Sequence, residues 1–172
     1  MPNLAEQIRE ALSMFAIAET KPALIGGLAV VAHQVVRATQ DVDFLLEAEA
    51  ADKVHEALLK LGYQRRYRSE DAANYVRGRE GLNLLYAHRP LARHLLAQAS
   101  ERDTPMGRLR VVSVKALIAF KLQAYVNDAT RMRDLDDIKA LAQIHRKSLD
   151  MVQLKEYFAL FNQQEMFHEL FE

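Results

Sequence analysis

Leu4, Ile8 and Leu12 recur at the spacing of one helix face behind Asn3, a natural cap, and the pattern predicts a helix ending near Thr20, before Pro22. The next apolar run, ALI at 23–25, reads as a short buried strand that stops at Gly26 and Gly27. LAVVAHQVV fits either period, and its place after a double glycine favours a short, largely buried helix. In DVDFLLE, Val42, Phe44 and Leu46 form an apolar face, while Asp41, Asp43 and Leu45 share the other, which predicts a strand. AEAADKVHEALLKLG then places Val54, Leu58 and Leu61 on one side of a helix stopped by Gly62.

Between Tyr63 and Ala87 the pattern predicts three short strands, YQRRYR, NYVRG and LNLLYA, forming a meander with turn glycines Gly78 and Gly81. Pro90 opens a helix to about Ala99, RLRVVS is a further strand, and Ser113 caps a helix through Tyr125. Two or three helices close the chain: RDLDDIKALAQIH, MVQLKEYFALF behind Asp150, and the apolar ending MFHELF.

Composition narrows the function classes. The 172 residues suffice for one domain with a substantial core, and a half-apolar chain with little Pro or Gly is not a disordered one. Lys plus Arg and Asp plus Glu number 23 each, so no overall field draws the chain toward nucleic acid or an anionic membrane. Without cysteine, disulfides and thiolate metal sites are excluded, and a cytoplasmic location is expected. The opening MPNLAEQIREALSMF does not resemble a signal peptide, and no apolar run approaches the roughly 20 residues of a membrane span, so no membrane partner is expected.

The candidate chemistry begins with Asp41 and Asp43. Side chains two apart on a strand point the same way, roughly 6–7 Å apart. Carboxylates so placed either face solvent at a strand end or grip one divalent cation or two neighbouring ones, and oxygen-only ligands suit hard Mg²⁺. A calcium loop fails on spacing, since Leu46 stands where that loop needs glycine. Upstream, Gly26 and Gly27 at a strand-to-helix junction form either a tight turn or a phosphate dock, and no Walker lysine follows. Lys121 falls within the apolar stripe of Val114, Leu117, Ile118, Leu122 and Tyr125, where it needs a counter-charge. Asp134 and Asp137 could supply it, as an interhelical salt bridge or as part of a site. YQRRYR with Arg77 and Arg79 reads as a solvated strand face, with RNA contact as the alternative.

Together, GG followed by RATQDVDF resembles the nucleotidyltransferase signature of the DNA polymerase beta superfamily. VSVKALIAFKLQAY…RDLDDIKAL looks like the lysine and aspartate motifs of its minimal, AbiEii-type toxin branch, bacterial proteins often encoded with an antitoxin. The resemblance covers roughly residues 23–142. It implies an α+β fold: a small mixed β-sheet nucleotidyltransferase core over residues 1–112, flanked by helices, with a helical region over 113–172 packed on it as one compact unit. It further implies Mg²⁺, as one ion or two, on Asp41 and Asp43, and an NTP whose triphosphate lies at Gly26 and Gly27. Lys121 would serve nucleotide or active-site charge, Asp134 matches the late acid, and Arg37 and Thr39 match positions at the turn into the metal-bearing strand. The acceptor it implies is an RNA, such as tRNA, or a protein hydroxyl, with an antitoxin as partner.

One departure stands out. The superfamily usually brings a third carboxylate from a later strand, and the matching position in LNLLYA is Asn83, which can lend a metal a neutral oxygen but cannot take a proton. Two readings follow: an Mg²⁺-dependent nucleotidyltransferase, or a catalytically weak or inactive relative that binds a nucleotide or partner protein. A phosphohydrolase is disfavoured because no general-base histidine accompanies the aspartates in sequence.

Overall fold

The computed structural model describes residues 3–172. Its core is a seven-stranded mixed sheet, an α+β architecture of the kind expected, though the sheet is larger than the small one anticipated. Helix α1 (Leu4–Ile17) is capped by the Asn3 side chain, which accepts from the Ala5 and Glu6 amides. Strand β1 (Ala23–Ile25) runs directly into α2 (Gly26–Ala32), and β2 (Val42–Glu47) follows an irregular segment. A 3₁₀ turn leads into α3 (Ala51–Lys60), which ends as anticipated before Gly62 at φ +89°.

The meander is β3 (Gln64–Arg68), β4 (Ala72–Arg77) and β5 (Glu80–Ala87), paired antiparallel in that order. Next come α4 (Pro90–Ala97), the hairpin β6 (Ser100–Thr104) and β7 (Gly107–Val111), and the helices α5 (Val114–Asn127), α6 (Met132–His145), α7 (Met151–Leu160) and α8 (Gln164–Phe171). Strand order is β3-β4-β5-β2-β1-β7-β6, with β2/β5 and β1/β7 parallel. The sequence reading missed β6 because SERDT is a largely exposed edge strand with no apolar alternation.

Strand β2 lies inside the sheet and explains why one segment carries both core and chemistry. Phe44 packs edge-to-face on Phe15 of α1, with ring centroids 5.0 Å apart, so α1 covers that face, and α3 packs beside α1. Asp43, one residue earlier, points to the opposite face, bordered by α5. Leu45 and Leu46 are fully buried, and the strand is polar only where it begins and ends.

Other charged positions tie elements together. Arg77 donates to Glu10 on α1 and to Glu80, and stacks on Tyr63 at 4.5 Å, which raises its already high pKa, chiefly through the Glu10 bond. It therefore fastens α1 to the meander and is not part of an open basic surface. All five β3 residues are exposed, and Arg68 is held by Asp52, as a solvated strand face would have it. The closing aromatics are core: Phe158, Phe167 and Phe171 are buried against one another, and Phe161 packs beside them.

His33, 2 % exposed at the end of α2, bonds the Val112 carbonyl through Nε2 at 2.8 Å, while Nδ1 has no partner. Burial pushes its pKa down; the Val112 bond opposes this, and the Arg102 and His145 charges add to it. The unfolded chain thus binds a proton at His33 below about pH 6.5 while the folded chain does not, so stability falls as pH drops through that value toward the lower folded one. Unfolding free energies measured by denaturant titration from pH 7 to 5 are expected to fall more steeply for the wild type than for His33→Gln, by up to about 1.4 kcal/mol per pH unit. Parallel curves would remove His33 as the cause.

Candidate active site

The site is built where β1, β2 and β5 meet. Parallel pairing of β2 with β5 sets Asp43 directly beside Asn83, and antiparallel pairing with β1 sets it beside Ile25, the residue before Gly26. Asp41 stands just ahead of β2, exposed, over Gly81: a Cβ at position 81 would lie 2.3 Å from its Oδ1. Gly26, at φ +67°, gives Asp43 the same kind of room, since a Cβ there would come within 2.1 Å of Asp43 Oδ2. A Cβ at Gly27 would press on Thr39 and Arg37 at 2.8 and 2.9 Å. Glycine is required at these positions by close approach, and the sequence reading had seen Gly81 only as a turn residue.

Asn83 Nδ2 donates to Asp43 Oδ1 at 2.8 Å, and its Oδ1 accepts from Asn74 Nδ2 at 2.7 Å. A carboxylate only accepts, so the direction of both bonds is fixed from the Asp43 end. Burial pushes the Asp43 carboxyl above its usual range and the Asp41 charge adds to this, while the Asn83 bond, the Lys121 charge and the Gly27 amide work against it. Neither aspartate has a salt-bridge partner among the described residues, whose ion pairs leave both free. Two carboxylates, one half-buried and neither neutralised, form an acceptor-only oxygen pair that fits a hard divalent cation. No third acidic side chain gathers with them among the described residues.

Asp41 and Asp43 stand in the wall of a cleft of about 970 Å³, which Gly26, Gly27, Arg37, Thr39, Asn83, Lys121 and Asp134 also line. The structure thus brings to one cavity the nine positions that the resemblance matches, while Asp137, the other candidate partner of Lys121, is not among the residues lining it. Lys121, Asp134 and Asp137 are 6, 7 and 5 % exposed, and Lys121 Nζ lies 3.0 Å from Asp134 Oδ1 and 2.8 Å from Asp137 Oδ2. Arg131 Nε donates to Asp134 Oδ2 at 2.6 Å, and Arg37 Nη1 to Asp137 Oδ2 at 2.8 Å. Burial acts to raise the Asp134 pKa, but the Arg131 bond and the Lys121 charge prevail and hold it below the carboxylate range. The interhelical salt bridge considered from the sequence is therefore present, as the centre of a five-residue ladder with three cations and two anions. It bears a net positive charge beside the aspartates.

Asn74 and the Arg37–Asp137 bond were missed. Asn74 had a signal: in a hairpin turning at Gly78, Asn74 and Asn83 are equidistant from the turn and must pair. Arg37 had none, its partner being 100 residues away. His88 and Asp71, hydrogen-bonded to each other, also line the cleft. At about 3.3 Å per residue, though, five residues beyond Asn83 puts His88 roughly 16 Å along the sheet. It does not accompany the aspartates as a base.

No family model and no curated protein matches the sequence. Solved structures do match in fold. A solution structure of the antibiotic-resistance factor ANT(2'')-Ia superposes with a TM-score of 0.72 at 15 % identity, covering 96 % of this chain and 95 % of that one. The lincosamide antibiotic adenylyltransferase LnuA, lincomycin-bound, gives 0.60 at 17 %, covering 81 % and 96 %. MenT4, a nucleotidyltransferase toxin from Mycobacterium tuberculosis, gives 0.57 at 19 %, covering 91 % of this chain and 63 % of that one.

The ladder makes a stability prediction. Lys121→Ala leaves two buried carboxylates to share two arginines, a loss of about 3 kcal/mol, and is expected to lower Tm by roughly 6–12 °C in a chain of this size. Arg108→Ala, which removes an exposed ion pair, is expected to move it by no more than about 2 °C. Calorimetry giving equal shifts would show that the ladder is not a stabilising element.

Proposed function

We propose that this chain, which has the nucleotidyltransferase fold, transfers a nucleoside monophosphate from an NTP to an acceptor hydroxyl in an Mg²⁺-dependent reaction, releasing pyrophosphate. The observation that carries the reading is the unneutralised Asp41–Asp43 pair set in the wall of a cleft beside a net-positive ladder. Asp41 and Asp43 would hold the cation. Bound there, Mg²⁺ would supply charge neutralisation on the phosphates and polarise the attacking oxygen, effects worth several kcal/mol.

The chain's own groups do the positioning. Gly26 and Gly27 keep backbone at the cleft wall where a side chain would displace Asp43, Thr39 or Arg37, and on this reading the triphosphate lies along that bare turn. The surplus charge of the Lys121 ladder and the exposed Arg131 and Arg133, which also line the cleft, favour a polyanion there. Lys121 and Asp134 act through this field and by holding Arg131, being saturated with each other.

For the acceptor, the motifs that resemble the toxin branch imply an RNA or protein hydroxyl, and the likeness to the toxin MenT4 supports a toxin with an antitoxin as partner. Correspondence over nearly the whole length of both chains with ANT(2'')-Ia favours a second arm, a small-molecule hydroxyl. A binding protein without activity is the rival that Asn83 motivates, since no acid stands there to take the proton.

Purified protein with Mg²⁺ and α-labelled NTPs is expected to label one of an RNA pool, a protein pool or a panel of small polyols. Asp41→Ala with Asp43→Ala should reduce labelling at least 10³-fold, and chelation with EDTA should abolish it. Labelling that survives the double substitution would sink the reading, and NTP binding without transfer to any acceptor would favour the rival.

A further inference from the structure

A carboxylate offers two oxygens, and the surroundings of Asp43 treat them differently. Oδ2 sits over the bare Cα of Gly26, on the side where the Gly27 backbone amide supports the carboxylate and no side chain intrudes. Oδ1 is taken by the Asn83 amide at 2.8 Å, so on the side facing β5 the carboxylate meets the positive end of an N–H. The atom of Asn83 that could ligate a cation, its Oδ1, is turned toward Asn74 Nδ2 on β4 at 2.7 Å while the amide hydrogens face Asp43. Turning the Asn83 amide over would set oxygen against the Asp43 oxygen and NH₂ against the NH₂ of Asn74, losing both bonds at once. Asp43 thereby sets which end of Asn83 faces the acidic pair, and Asn74 holds the other end in place.

A cation between strands β2 and β5 would have to lie against those amide hydrogens. Asp41 has no such obstruction, because the residue opposite it is Gly81, which brings no side chain at all. The oxygens open to a cation are therefore those of Asp41 and one from Asp43.

We propose that the Asn74–Asn83 pair makes this a one-cation site: Asp41 and Asp43 hold a single divalent ion, and the position a second ion would take beside β5 is closed by the oriented amides. Asn74 and Asn83 are positioning residues, Asn74 acting through Asn83. The inference rests on the cation reading of the aspartates given above, and its consequence is a stoichiometry, which can be counted without any turnover.

Mn²⁺ titrated into the full chain, with free ion followed by electron paramagnetic resonance, is expected to show one bound ion per chain that is lost in the Asp41→Ala, Asp43→Ala double variant. Asn83→Asp, which replaces the amide hydrogens with a third carboxylate, is expected to double the count to two. A wild type that binds two ions, both lost in the double variant, would overturn the one-cation site while leaving the functional reading standing. A wild type that binds none would instead remove the cation reading itself. An Asn83→Asp protein with wild-type circular dichroism that still binds one ion would show that position 83 closes nothing. Should that variant fail to fold, the wild-type count alone decides.

Discussion

Accommodating a carboxylate at the mouth of a central β-strand is the constraint around which this molecule is arranged. Strand β2 has neighbours on both edges and a helix on the face that Phe44 meets, so Asp43 has little water to draw on. Burial favours its neutral form, and the Asn83 amide, the Gly27 N–H and the field of Lys121 work against that by standing in for part of the lost water. The glycines on either side follow from the same demand, since the oxygens need room that a side chain would fill.

The C-terminal helices enter the site through the ladder. Lys121 belongs to α5 and its two carboxylates to α6, while Arg37 comes from the irregular segment between α2 and β2. That segment carries Thr39 and leads directly into Asp41, and its arginine is clamped on a carboxylate 5 % exposed. Placement of the acidic pair thus depends on helices that contribute no atom to it. A buried ion pair adds little net stability of its own, but breaking one is costly, which suits an element whose task is to fix geometry.

Much of this was legible before the structure. Period-two and period-3.6 patterns located every long element, because those elements bury a face; β6 was lost because an exposed edge strand need not alternate. The aspartates stood out as charges in an apolar strand, and Lys121 as a charge in an apolar stripe. Asn74 was within reach through hairpin symmetry about Gly78. What the sequence could not disclose were the partner of Arg37, a matter of tertiary distance, and the direction in which Asn83 points, which only its two neighbours determine. The seven-stranded width of the sheet likewise needed the β1/β7 pairing to be seen.

Gly81 gives the arrangement its least conspicuous exposure to change. It carries no reactive atom, sits at an ordinary backbone angle, and its carbonyl merely accepts from Gln7. Yet its missing side chain is the socket of Asp41. In a library of single substitutions scored on function, such a position sorts with the acids while looking, on chemical grounds, like spacer. Empty volume is as much a part of this site as charge is.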